Sequence, residues 1–403
     1  MTDLETRVAP ASSALGRASS ALRRAAPALL GYAAVRALGL VALVLWSAAR
    51  DKSAHTLLTA RWDSLWYTRV AELGYGYEVR LPNGDVHSNL AFFPLLPWLE
   101  RGLHAVSPLS YADAGLVVSL LGSLAAAWGI FAVADRVYGR RAGVCAVLVW
   151  AVLPVGIVQS MAYSESLFTA LAAWSLYAVL TGRWVTAGTL AGLAGLTRPV
   201  GLAVVAAVWA AGIAGFVRER RGSSFEGTGS GSATPRAHAG RRALGLLLAP
   251  LGAAGYVLWV GRHTGKGVFG YLDVQAGWRN GFDGGYAFAR FVADKFTSVP
   301  GALAGLALIA GVGLVLWLYA VCVRQGQPLP LLVYAGVVTA LALCASSYFG
   351  SKPRLLMPAF PLLLPLALAL ARARPRRSAA VLMAVAAASA VYGAFWLNGS
   401  GPP

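Results

Sequence analysis

The chain has 403 residues, 58% of them hydrophobic and only 12% charged, with 34 Lys and Arg against 16 Asp and Glu. Soluble domains carry about a quarter charged residues, so this composition excludes an ordinary soluble enzyme and predicts an all-α polytopic membrane protein. The formal charge of +18 does not signal nucleic acid, because the arginines sit beside apolar stretches, where they read as a topological and lipid-facing fringe.

A 28-residue, mostly polar or small tail precedes the first apolar stretch and shows no small-residue cleavage site, so the first helix reads as a retained anchor. Stretches long enough for a roughly 30 Å hydrocarbon core then recur over 29–49, 110–134, 142–161, 166–182, 185–217, 243–260, 299–323, 328–349, 355–371 and 378–397. The stretch 185–217 is too long for one crossing and is interrupted by Arg198-Pro199, which predicts two short or re-entrant helices meeting there. About eleven passes follow, forming a single transmembrane domain over 29–397 with a terminal tail at 398–403.

With the amino terminus cytoplasmic, the arginine clusters at 23–24, 140–141, 218–221, 241–242 and 372–377 all fall inside, as the positive-inside rule requires. The same orientation puts Asp63, Glu100, Glu165 and most other acids outside. It leaves two long external loops, 50–109 and 261–298, and one internal loop, 218–242, whose Gly227–Ser232 run reads as a flexible linker. The predicted location is thus a multi-pass plasma-membrane protein with an extracytoplasmic functional face. Arg36 and Arg198 are the chief ionisable residues expected within the membrane depth.

In the first external loop, Trp62, Leu65, Trp66, Arg69, Val70 and Leu73 fall at helical spacing and predict an interfacial helix over about 63–73. A second follows Phe92-Phe93-Pro94, where apolar positions alternate with Glu100, Arg101 and His104. Two such helices would roof a cavity floored by the spanning helices, with Asp63 at the start of the first. Asp63 could equally serve as the N-cap of that helix. Tyr163-Ser164-Glu165 reads as a helix start, with Ser164 as N-cap and Glu165 in the first turn. In the second loop, Gln275, Trp278, Arg279 and Asn280 are candidates for sugar or acceptor contact.

Other patterns carry no chemistry. Gly265-Lys266 lacks the spacing and the Ser or Thr of a phosphate-binding loop, no Asp-x-Asp supports metal-bridged nucleotide-sugar chemistry, and no histidine pair has ligand spacing. No metal and no cofactor is predicted. Cys145, Cys322 and Cys344 lie in apolar runs and read as small core residues, Gly188 and Gly192 as a close helix contact, and the Asn398-Gly399-Ser400 sequon as chance.

The segments Arg61-Trp62-Asp63-Ser64-Leu65-Trp66-Tyr67, Ala71-Glu72-Leu73-Gly74-Tyr75 and Ala91-Phe92-Phe93-Pro94-Leu95-Leu96-Pro97 resemble the signature region of the PIG-V-like mannosyltransferases. That family performs the second mannosyl transfer of glycosylphosphatidylinositol synthesis and has bacterial relatives. Tyr163–Phe168, Gly192–Gly201 and Pro353–Pro358 are similar to it as well. The resemblance implies a glycosyltransferase of the C superfamily that inverts the anomeric centre. Its implied donor is a polyprenyl-phosphate sugar, usually mannose, and its acceptor an external glycolipid, glycan or protein. It also implies a general base, for which Asp63 is the candidate, and a cationic phosphate site, for which Arg198, Lys352 and Arg354 are candidates. Arg61, Trp62, Tyr67 and Glu165 complete the expected substrate- and donor-binding set. The alternative from another class is a lipid or sugar transporter or flippase, which many spans and a broken helix also suit.

Overall fold

The computed structural model describes residues 11–223, 234–346, 348–399 and 401. The first ten residues of the tail, the Gly227–Ser232 run and Ser400 of the sequon lie outside them. The protein is a helical bundle whose helices follow the apolar stretches, with short two-stranded pairings confined to loops.

Among the described residues, six helices are long and apolar enough to cross a membrane: Ser19–Ala48, Tyr111–Tyr138, Pro199–Arg221, Ala239–His263, Val299–Arg324 and Pro375–Leu397. The chain is therefore a multi-pass membrane protein. The remaining stretches are shorter or broken. The residues expected as 142–161 form the helix Arg140–Ala151 and a separate 3-10 turn Gly156–Ser160. Ser164–Leu180 and Leu329–Cys344 are short apolar helices, and Phe349–Leu356 with Phe360–Arg372 form a pair bent by 75°. The expected break at Arg198-Pro199 is present: the helix Trp184–Gly195 ends, a 3-10 turn spans Pro199–Gly201, and Leu202–Ser223 resumes. Arg198 is extended there, as a residue before proline tends to be.

The two glycines read as a helix contact each meet another glycine. A Cβ on Gly188 would lie 2.1 Å from the Gly245 carbonyl oxygen, and one on Gly252 would lie 1.8 Å from that of Gly192. The backbones thus approach more closely than any side chain permits. Gly252→Ala is expected to reduce the yield of monodisperse protein and its melting temperature. Gly255→Ala, three residues along with open space around it, is the control that should leave both unchanged.

Both expected interfacial helices exist, at Asp63–Leu73 and Leu95–Ala105. Between them runs an unexpected antiparallel pair, Glu78–Arg80 with Val86–Ser88. Asn89 braces it, its amide oxygen accepting from Gly76 N at 3.0 Å and its amide nitrogen donating to Gly74 O at 3.0 Å. The roof is pinned to the bundle in two places. Leu95 N donates to Leu196 O at the helix break, and the Tyr256 hydroxyl donates to Leu90 O and Phe92 O. Arg101 Nε donates to Ala71 O at 2.7 Å, placing a cation at the C-terminal turn of the neighbouring helix.

Glu100 faces inward, contrary to its expected place on the polar side of an interfacial helix. It is buried, neither carboxyl oxygen has a hydrogen-bond partner, and Gly115 leaves room for it, since a Cβ there would meet Glu100 Oε1 at 2.5 Å. Burial without compensation pushes its carboxyl from 4.5 up to about 8. A folded-state value raised above the unfolded one means stability that is fully present below about pH 4.5 and lost as pH rises towards 8. Glu100→Gln should therefore melt several degrees above the native chain at pH 8 and differ little from it at pH 5, as thermal melts at the two pH values will read.

Candidate active site

The chain from Arg61 to Ser64 is a tight turn before it is a helix. Ser64 Oγ accepts from Arg61 N at 3.0 Å and donates to Arg61 O at 2.6 Å. Trp62 takes the N-cap place with φ 51°, a left-handed value that is costly for a bulky residue, and its side chain makes no cap bond. Asp63 is therefore the first helical residue and not the cap, leaving its carboxylate directed to another partner. That partner is Arg354, whose Nη1 donates to Asp63 Oδ2 at 2.7 Å.

Arg354 joins two acids. Its Nε lies 3.3 Å from Glu165 Oε1, and Glu165 Oε1 is ion-paired in turn to Arg198 Nη1. The result is a ladder Asp63, Arg354, Glu165, Arg198 of alternating sign and zero net formal charge. Side-chain exposure grades along it, with 1% for Glu165, 8% for Arg354 and 13% for Arg198, but 28% for Asp63. Asp63 is the more exposed acid of the ladder and Glu165 the buried one. Ser164 is not the N-cap of its helix, a place held by Tyr163 without a side-chain bond. Its hydroxyl instead shares a 2.7 Å hydrogen bond with Tyr67 OH and accepts from Arg198 Nη1 at 3.4 Å. Tyr67, one turn along from Asp63 on the same helical face, thereby ties the roof to the ladder. Burial raises the Tyr67 phenol above its ordinary value, keeping it neutral.

The segment before Ser164 is held rigidly. Tyr163 O accepts from Ser119 Oγ at 2.8 Å, Ala162 N donates to Leu58 O at 2.9 Å, and the Tyr163 ring lies 5.1 Å from the Arg354 guanidinium. The ladder therefore unites the helix Asp63–Leu73, the start of Ser164–Leu180, the break at Arg198 and the bent segment at Arg354.

Seven sequence candidates lie outside the ladder. Arg61 donates to Leu397 O at 3.0 Å and Gly399 O at 3.3 Å, with its guanidinium 3.9 Å from the Trp62 ring centre. Its charge caps the C-terminal end of the helix Pro375–Leu397, where carbonyls lack partners, and Trp62 is its platform. Lys352 Nζ donates to Ala342 O and Ala345 O at 2.7 and 2.9 Å and lies 4.7 Å from the Phe288 ring centre, so it closes the end of Leu329–Cys344. In the second loop, Trp278 Nε1 donates to Ser88 O at 3.0 Å, Arg279 pairs with Asp85 at 2.6 Å, and Asn280 donates to Gln275 at 3.0 Å. Trp278 and Arg279 thus tie the segment 261–298 to the segment 50–109, and Asn280 braces its own segment. Arg36, deep in the first helix, is held by the carbonyls of Ala151 and Gly156. No group of three or more His, Cys, Asp or Glu suited to a metal occurs among the described residues.

No family model matches the chain. Over 156 residues it is 32% identical to GPI alpha-1,6-mannosyltransferase 2 of Rattus norvegicus, an alignment covering 36% of this chain and 30% of that relative. Among solved structures it is similar to ArnT from Cupriavidus metallidurans in the apo state, with a TM-score of 0.51 and 18% identity over 85% of this chain and 60% of ArnT. Archaeoglobus fulgidus oligosaccharyltransferase AglB aligns with a TM-score of 0.46 at 13% identity over 92% of this chain and 56% of AglB. The helical bundle thus shares its overall fold with ArnT.

Proposed function

We propose that the protein is an inverting membrane glycosyltransferase that moves a hexose, mannose by resemblance, from a polyprenyl-phosphate donor to a hydroxyl of a glycolipid, glycan or protein. The observation that carries this reading is a partly exposed carboxylate, Asp63, gripped by a buried guanidinium, Arg354, beneath helices suited to the membrane surface. Asp63 takes the acceptor hydroxyl's proton as that oxygen attacks the anomeric carbon. The bond from that carbon to the phosphate oxygen breaks on the opposite face, and the lipid phosphate leaves with the electron pair. Arg354 and Arg198 supply paired donors for the phosphate oxygens and stay charged in partial burial. Tyr67, held neutral, offers a hydroxyl at the same face, and Glu165 keeps both arginines in place.

The partial similarity to GPI alpha-1,6-mannosyltransferase 2 supports a mannosyl donor, although the chain spans 30% of that relative's length. The arginine pattern supports a cytoplasmic amino terminus and an extracytoplasmic site. Ionisable groups at one end of the bundle suit surface chemistry, whereas a transporter needs them along a path through it. Radiolabelled polyprenyl-phosphate mannose supplied to proteoliposomes with a membrane glycolipid extract is expected to label the extract. Translocation of the donor without transfer would replace this reading with the transporter.

A further inference from the structure

A second feature lies at the far end of the same short helix. Glu165 opens Ser164–Leu180 and Leu180 ends it, so at 1.5 Å per residue the two are separated by roughly 22 Å. Around Leu180 the bundle opens into a cavity of about 490 Å³, bounded by ends of the helices Ser164–Leu180, Trp184–Gly195, Leu202–Ser223, Thr234–Leu248 and Leu329–Cys344. Its lining combines apolar Leu180, Ala211 and Leu329 with Trp184, Arg218, Glu219 and Arg242.

Arg242 is the informative residue. Its side chain is only 12% exposed and crosses Gly215, where a Cβ would lie 3.1 Å from Nη1, and its guanidinium sits 5.3 Å from the Trp184 ring centre. Nη1 and Nη2 donate to the two carboxyl oxygens of Glu219 at 3.1 and 2.5 Å, yet Nε is buried without a partner. Among the described residues this donor is unpaired, and a buried unpaired donor costs about 1–3 kcal/mol, which favours an incoming acceptor at Arg242. Glu219, 60% exposed, holds the fork that fits a planar or tetrahedral oxyanion.

We propose that this cavity is a binding site for an anionic phospholipid, with phosphate oxygens at Arg242 and Arg218 and an acyl chain along Leu180, Ala211 and Leu329. The volume exceeds what a bare phosphate fills. Apolar and cationic residues side by side at the ends of Pro199–Arg221 and Ala239–His263, helices long and apolar enough to cross a membrane, match the amphiphile. The arginine charge matches its headgroup, and a guanidinium resting on an indole face is suited to interfacial depth. The site is independent of the transfer reaction and stands whether or not that reaction is correct.

The full chain in zwitterionic detergent is titrated with phosphatidylglycerol, phosphatidylcholine or inorganic phosphate, and read by thermal melts and native mass spectrometry. Phosphatidylglycerol is expected to raise the melting temperature and to remain bound, phosphatidylcholine to do neither, and inorganic phosphate to have little effect. Arg242→Gln should weaken the phosphatidylglycerol effect about 10- to 100-fold. Leu329→Trp, which fills the cavity without touching a charge, should abolish it and decides the matter should Arg242→Gln not fold. Equal stabilisation by phosphatidylcholine, saturation by inorganic phosphate alone, or an unaltered response in a folded variant would each overturn the proposal.

Discussion

Asp63→Asn is expected to lower sugar transfer by about 100- to 10,000-fold, the range supplied by a positioned general base, with a smaller fall in melting temperature than Arg354→Ala, because buried Arg354 loses one of its two counter-charges. The amide is isosteric and can still accept from Arg354 through its oxygen. Because Trp62 and not Asp63 occupies the N-cap, the substitution removes no cap bond either. A purified Asp63→Asn protein that keeps its fold and its full transfer rate would leave Asp63 with a positioning role and the base unassigned. Asp63→Glu, which lengthens the arm within a fixed ladder, should recover only a small part of the rate.

The second large effect is at Arg354. Arg354→Ala removes the cation shared by Asp63 and Glu165, and breaking a buried ion pair by deleting one partner costs about 3–5 kcal/mol. Glu165, buried at 1% exposure, would keep Arg198 as its only counter-charge. Thermal melts should show a marked loss of stability together with loss of transfer. Arg354→Lys separates the two contributions: one ammonium restores charge but cannot reach both carboxylates as a guanidinium does. It should regain most of the stability while the Michaelis constant for the lipid donor stays raised at least several-fold. Native donor kinetics in Arg354→Lys would mean that Arg354 only neutralises its acids.

The parts of the fold that were legible in the sequence are those set by local physics. Apolar length located most of the helices, proline located the break at Arg198, and aromatic spacing located the interfacial helix carrying Asp63. Hydropathy alone could not tell a full crossing from a helix cut short by Pro154 or a pair bent near Pro358, so a count of stretches exceeds the count of long helices. The resemblance pointed to Asp63, Glu165, Arg198 and Arg354 separately, yet not to the fact that they touch. Asp63 and Arg354 are 291 positions apart, and only tertiary packing pairs them.

The features that stayed hidden in the sequence have one common cause. Arg61 and Lys352 are basic residues in matching segments, but each is committed to the carbonyls at a helix end, a demand that sequence spacing does not reveal. Glu100 went unnoticed as a buried acid for a related reason. A glutamate in an amphipathic pattern looks solvated until the missing Cβ of Gly115, on another helix, is seen to make space for it. The pairing of Glu78–Arg80 with Val86–Ser88 is too short for an alternation pattern to register.

The helix Ser164–Leu180 has 17 residues, which at 1.5 Å each is about 26 Å, shorter than a hydrocarbon core of roughly 30 Å. Most of it is buried among longer helices. Tyr163, just before it, meets Ser119 eight residues into Tyr111–Tyr138, about 12 Å from that helix's end, so Glu165 and the ladder it anchors are recessed within the bundle. Under the proposed function, donor phosphate and acceptor hydroxyl both have to descend below the end of that long helix to meet at Arg354 and Asp63.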